Sequence, residues 1–139
     1  MIARRSLLAG GLALAALPVR GALAEPRMME PGEAHRLAAS GEIVLVDVRS
    51  PAEWAETGSP QGAERVWIRD PDLAAKLERL TGGDRDRPVA LICATGIRSS
   101  LVANALVGAG YTDVRNVGEG MLGSAAGPGW LRRGLPTER

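Results

Sequence analysis

The sequence predicts a single α/β domain with a central, mostly parallel five-stranded sheet. Three observations predict it. Residues 43–46 and 89–92 are short apolar runs without alternation, the signature of strands buried on both faces. Stretches with helical spacing alternate with such runs, as a chain of βαβ units requires. Both runs end on a residue with chemistry to offer, Asp47 after the first and Cys93 after the second. Parallel strands share a carboxyl edge, so the two residues are expected side by side at one edge of the sheet.

Residues 1–24 are set apart from that domain. Arg4 and Arg5 form a basic head, residues 7–19 are an apolar stretch too short to span a bilayer, and Ala22, Leu23 and Ala24 make an A-x-A cleavage site. The three regions predict a secretory signal and a periplasmic or secreted protein. The paired arginines before Ser6, Leu7 and Leu8 resemble a twin-arginine signal, with an ordinary Sec signal as the alternative. Cleavage leaves residues 25–139 as one domain and no membrane span. Without Arg4, Arg5 and Arg20, the 17 basic residues fall to 14 against 16 acidic ones, and the formal charge moves from +1 to −2. No basic tract remains to argue for nucleic acid. A single cysteine excludes an intramolecular disulfide, and one cysteine with one histidine gives no usual zinc set, so no metal is expected.

From residue 25 onward, Met28 and Met29 read as a short first strand. Pro31 opens a helix with Leu37 and Ala38 on its apolar side, and Ser40 and Gly41 close it. His35 falls on that helix as a surface or packing residue. The second strand runs to Asp47, and Arg49 and Glu53 follow. Residues 58–62 form a glycine-bounded turn, and residues 63–68 a short, partly polar strand near a sheet edge. Asp70 as N-cap and Pro71 at the first helical position start another helix, with Leu73, Ala74, Leu77 and Leu80 as its buried stripe. Residues 81–87 read as a solvated loop with no particular role for its charges. Pro88 leads into the Cys93 strand. A helix over residues 97–107 buries Leu101, Val102, Ala105 and Leu106, and Gly108 and Gly110 stop it. Residues 112–117 are the last strand. Residues 127–133 end in a short helix. Phenylalanine is absent, so Trp54, Trp67 and Trp130 are expected to join the aliphatic residues of the core.

The segment from Cys93 to Ser99 concentrates the chemistry. A loop between a strand and a helix N-terminus offers free backbone N–H groups and the positive end of the macrodipole. Gly96 lets such a loop turn several N–H groups toward one point, a nest for an anion. A sulfur held there is favoured as thiolate, the nucleophilic form. Arg98 supplies a cation and a planar fork suited to oxyanions; its alternative role is to pin the loop through Asp47 or Glu53. The candidate site is therefore Cys93 as nucleophile, with Ala94, Thr95, Gly96, Ile97, Arg98 and Ser99 around the substrate. Asp47, Arg49 and Glu53 are structural neighbours.

These residues carry a resemblance. Cys93-Ala-Thr-Gly96-Ile-Arg98-Ser99 resembles the active-site loop of rhodanese-like domains. Residues 45–54, with Asp47, Arg49 and Glu53, resemble the family's first signature. Residues 58–63 resemble the glycine-rich segment that follows it. Residues 110–120, with Gly129, Trp130, Gly134 and Pro136, resemble the closing part. The match covers residues 28–136. The resemblance implies a three-layer α/β/α domain with its site at the carboxyl edge. It also implies a structural role for Asp47 and Arg49, and a sulfurtransferase reaction through a Cys93 persulfide.

That reaction moves a sulfane sulfur from a small anionic donor such as thiosulfate to a thiol, cyanide or protein acceptor, with no cofactor. Two rival functions stand beside it. One is a non-enzymatic periplasmic sulfur carrier or protein-binding module. The other is a cysteine phosphatase of the related fold. Such phosphatase loops resemble this one but typically place one more residue between cysteine and arginine than the four found here, Ala94 to Ile97.

Overall fold

The computed structural model describes residues 25–139, and the signal-peptide expectation lies outside them. The elements run β1 (Arg27–Met28), α1 (Pro31–Ala39), β2 (Val44–Asp47), α2 (Pro51–Thr57), β3 (Ser59–Pro60) and β4 (Glu64–Arg65). They continue with α3 (Leu73–Thr81), β5 (Val89–Ile92), α4 (Ile97–Gly108), β6 (Val114–Asn116) and β7 (Thr137–Glu138). Five strands form one parallel sheet in the order β1-β6-β5-β2-β4, and β3 pairs with β7 in a separate antiparallel ribbon.

The strand order reverses between β2 and β5. After β2 the chain moves outward to β4; after β5 it moves the other way to β6. Such a switch point leaves a crevice at the strands' carboxyl ends, because the two following loops diverge. The register places Asp47 opposite Ile92, so the loop after β2 and the loop from Cys93 leave the sheet side by side.

Period-two alternation divides the core. Val46, Val48, Val89, Leu91 and Cys93 face one side, where Val102, Ala103 and Leu106 of α4 and Leu77 of α3 cover them. Leu45, Ala90 and Ile92 face the other side, under Ala34 of α1 and the C-terminal residues Val117, Met121 and Trp130. The sulfur thus lies on the α4 side, at the rim of a closed apolar layer.

Several expectations need correction. Leu101 and Ala105 are exposed, because α4 is rotated so that Val102, Ala103 and Leu106 meet the sheet. Ala74 is exposed as well, while Leu73 and Leu80 pack from the margin. Asp70 does not cap α3. It accepts the Asp72 N–H at 2.8 Å and pairs with Lys76, closing a turn before the helix, whose N-cap is Asp72. Trp54 and Trp67 are half-buried, and only Trp130 is a core tryptophan. Residues 127–133 form no helix: Gly127 bridges Ser124, and turns begin only at Trp130. Within residues 81–87, Thr81 belongs to α3 and its hydroxyl meets the Tyr111 hydroxyl at 2.9 Å, while Arg85 stacks on the Tyr111 ring and donates to the same oxygen. His35 sits edge-on to Trp130, with ring centroids 5.8 Å apart, a packing role.

Helix α2 lies where the sequence predicts no element, although its start is strongly marked. Ser50 and Glu53 form a complete capping box, and Pro51 takes the first helical position.

Candidate active site

The first wall of the crevice is a buried ion pair. Arg49 donates through Nε to Asp47 Oδ1 at 3.0 Å and through Nη2 to Oδ2 at 2.8 Å, with both residues almost fully buried. Its remaining donors reach Thr57 Oγ1 at 2.9 Å and the Gly58 carbonyl at 2.8 Å, and the Arg49 N–H also bonds Asp47 Oδ1. The end of β2 is thereby tied to the far end of α2. Charges this well satisfied hold geometry, and removing either partner strands the other in the interior, typically at a cost of about 3–5 kcal/mol.

The second wall is the loop from Cys93. Cys93 Sγ accepts the Gly96 N–H at 3.1 Å and lies 3.2 Å from Ser99 Oγ. Gly96 is the N-cap of α4 at φ +89°, a backbone region that disfavours side chains. Its left-handed turn folds the loop back, so that its N–H points at the sulfur while its carbonyl accepts from Ser100 N, the first bond of the helix. The sulfur therefore sits at the amino end of a three-turn helix, where dipole and N–H groups favour negative charge. The residue is 1% exposed, so the sulfur is almost wholly screened from solvent.

The loop rests on a backbone platform that the sequence reading named only as part of a motif. Met121 N bonds the Cys93 carbonyl at 2.8 Å and Leu122 N bonds the Ala94 carbonyl at 2.9 Å. Gly120 and Gly96 permit this approach: a Cβ on Gly120 would collide with the Ala94 carbonyl, and one on Gly96 with the Gly118 carbonyl. Asn116, buried at the end of β6, donates through Nδ2 to the Gly96 carbonyl at 3.2 Å. That bond fixes the peptide on the helix side of the turn. The closely spaced Gly118 and Gly120 were the available signal; nothing in the sequence alone pairs Asn116 with Gly96.

Of the six loop residues expected around substrate, the structure brings Gly96 and Ser99 onto the Cys93 sulfur. Ala94 is half-buried, and Thr95 and Ile97 are exposed at the rim. Arg98 reaches Glu53, not Asp47: Nη1 meets Oε1 at 2.7 Å and Nη2 meets Oε2 at 2.8 Å. The same carboxylate accepts from the Ser50 hydroxyl at 3.0 Å, so Glu53 both caps α2 and holds the first turn of α4.

The pair is electrostatically tight. Hydrogen bonds from Arg98, and secondarily from Ser50, outweigh the effect of burial and pull the Glu53 carboxyl from 4.5 to about 2. Glu53 in turn holds the Arg98 guanidinium above its ordinary range, with smaller contributions from Cys93 and Asp47. A carboxyl depressed by folding contributes stability that is full above its unfolded value near 4.5 and is lost as pH falls toward 2. The stability advantage of the native protein over Arg98→Ala is thus expected to be constant above pH ~5 and to vanish near pH ~2. Denaturant unfolding of both proteins across that range checks it, and an advantage unchanged at pH ~2 contradicts it.

Comparison with known proteins identifies the family of the chain. The family model of the rhodanese-like domain matches residues 30–126. A sulfurtransferase of Allochromatium vinosum is 31% identical over 101 residues, covering 73% of this chain and 83% of that one. A putative sulfurtransferase of Bacillus subtilis is 38% identical over 87 residues, 63% of this chain and 78% of the other. Among solved structures, the homodimeric polysulfide-sulfur transferase of Wolinella succinogenes superposes with a TM-score of 0.64 at 29% identity, over 81% of this chain and 78% of that one.

Proposed function

The chain belongs to the rhodanese-like domain family and is a sulfurtransferase at the family level; from that premise we propose that Cys93 carries the transferred sulfur as a persulfide. The observation that carries this reading is the sulfur's position: at the amino end of α4, accepting the Gly96 N–H, with Ser99 as its other polar neighbour. The Cys93 thiolate attacks the outer sulfur of a donor. The donor's sulfur bond breaks, and its remainder leaves with the electron pair. The Gly96 N–H and the helix terminus stabilise negative charge on the sulfur chain in both directions of transfer. A thiophilic acceptor (a thiol, cyanide or a protein thiol) then takes the outer sulfur and regenerates the thiolate. The scheme needs no cofactor. It splits into two half-reactions and predicts ping-pong kinetics.

Loading the protein, removing the donor and then adding acceptor tests the scheme. Discharge as fast as steady-state turnover supports an enzyme. Stable loading with negligible discharge identifies a sulfur carrier, the alternative function.

The motif at Arg4 and Arg5 supports a second proposal, export to the periplasm or beyond by a twin-arginine signal. Changing both arginines to lysine is expected to stop export of a tagged chain; unimpaired export assigns the signal to the Sec class.

A further inference from the structure

Resting on the persulfide reading of Cys93, we propose that Asn116 is a positioning residue for the transfer: its amide sets the orientation of Gly96, and through Gly96 the N–H that the sulfur accepts.

Asn116 stands where the sheet calls for an apolar side chain. It is the last residue of β6, and Val114, two positions back on the same face, belongs to the apolar cluster with Val102, Ala103 and Leu106 of α4. Asn116 continues that face toward the carboxyl edge and is 8% exposed. A buried amide costs stability unless its polar atoms find partners. Only half of this one does. Nδ2 donates to the Gly96 carbonyl at 3.2 Å, whereas Oδ1 is buried and accepts nothing from the described residues. The carbonyl can only accept, so turning the amide over would set two oxygens against each other. A polar group kept in a core position at such a cost calls for a role outside packing.

Gly96 does not need this bond for its own satisfaction. Its carbonyl already accepts from Ser100 N at 3.2 Å, the bond that opens α4. What the second donor adds is direction. Gly96 has no side chain to confine its backbone, yet its N–H must meet Cys93 Sγ at 3.1 Å from a turn at φ +89°. Three contacts hold it there: Ser100 N, the Gly118 backbone and Asn116 Nδ2. Ser100 belongs to the same helix as the turn, and the Gly118 contact is steric. Asn116 alone of the three gives a directed bond from outside the loop, and β6 pairs with β5, the strand that leads into Cys93. The amide bonds Gly96 and not the sulfur, so its loss acts on the rate of each sulfur step and not on substrate binding.

Asn116→Leu in the full-length chain tests this, because it removes the directed bond and the unmet acceptor together. Those two losses oppose each other in stability, so Tm is expected within about 3 °C of the native value. Loading of Cys93 from thiosulfate and discharge to cyanide are both expected to slow by about 10-fold, with the KM for thiosulfate unchanged. In amide hydrogen exchange, Gly96 is expected to lose protection while Val89–Ile92 keep theirs. Asn116→Ser carries the same test if the leucine variant does not fold. A folded variant with native rates overturns the proposal. So does a raised KM at unchanged turnover, which makes Asn116 a substrate contact. A rate loss accompanied by lost protection across β5 also overturns it, since that is the mark of a packing role alone. Absence of loading in the native protein removes the persulfide reading, and this role with it.

Discussion

Cys93→Ser is expected to reduce sulfur transfer to the rate of the uncatalysed reaction while the fold persists. Oxygen at this position cannot carry a sulfane sulfur, so no rearrangement of the loop restores the first half-reaction. The fold survives because the two polar neighbours of Sγ suit a hydroxyl: the Gly96 N–H donates to it, and Ser99 Oγ exchanges a bond with it. A buried hydroxyl with both partners present costs about 1 kcal/mol or less relative to the thiol, a shift of a few degrees in Tm for a domain this size. Transfer kinetics together with a thermal melt check both halves. A variant that still turns over at a native rate removes Cys93 from the mechanism.

Gly96→Ala has the second largest expected effect, and it reports on the cradle rather than the nucleophile. The substitution puts a side chain at φ +89°, and its Cβ meets the backbone of Gly118 rather than a side chain able to move aside. The strain of a left-handed alanine is about 1–3 kcal/mol before the collision is counted. Relief requires the turn to open, which withdraws the Gly96 N–H from Sγ. Loss of one preorganised donor to a developing anion costs about 10²- to 10³-fold in rate. The expected result is a transfer rate lowered by that factor and a melting temperature lowered by several degrees. Native rates in Gly96→Ala would show that the Gly96 N–H has no part in stabilising the sulfur.

The same features explain how far the sequence could be read. The sheet was legible because buried parallel strands announce themselves as unbroken apolar runs, and because Asp47 and Cys93 end two of them at one edge. Rotation of a helix about its axis is less legible. The pattern of α4 admits two apolar faces about 100° apart, and contact with the sheet selects Val102, Ala103 and Leu106 over Leu101 and Ala105. The partner of Arg98 depended on that rotation too, along with the placement of α2, so Asp47 and Glu53 stayed open alternatives until both helices were in position. Helix α2 carries a plain capping box in Ser50 and Glu53, but its seven residues are too few for an apolar stripe to mark it in the sequence. Strand β7 has no local signal: two residues at the C-terminal end pair with Ser59 and Pro60 only because tertiary contacts, including Arg65 to the Glu138 carbonyl at 2.9 Å, bring them together. Asn116 illustrates the same limit within the site. Its bond to Gly96 spans twenty positions of sequence and exists only once β6 lies beside β5.

The central claim is that Cys93 holds the sulfur in transit. Intact-mass measurement tests it most directly, on the reduced protein incubated with a sulfane donor and freed of excess reagent. The account predicts a gain of one sulfur atom, located on the peptide containing Cys93 and removed by cyanide, with no gain in Cys93→Ser. An unchanged mass under conditions of active transfer, or an equal gain in Cys93→Ser, contradicts it.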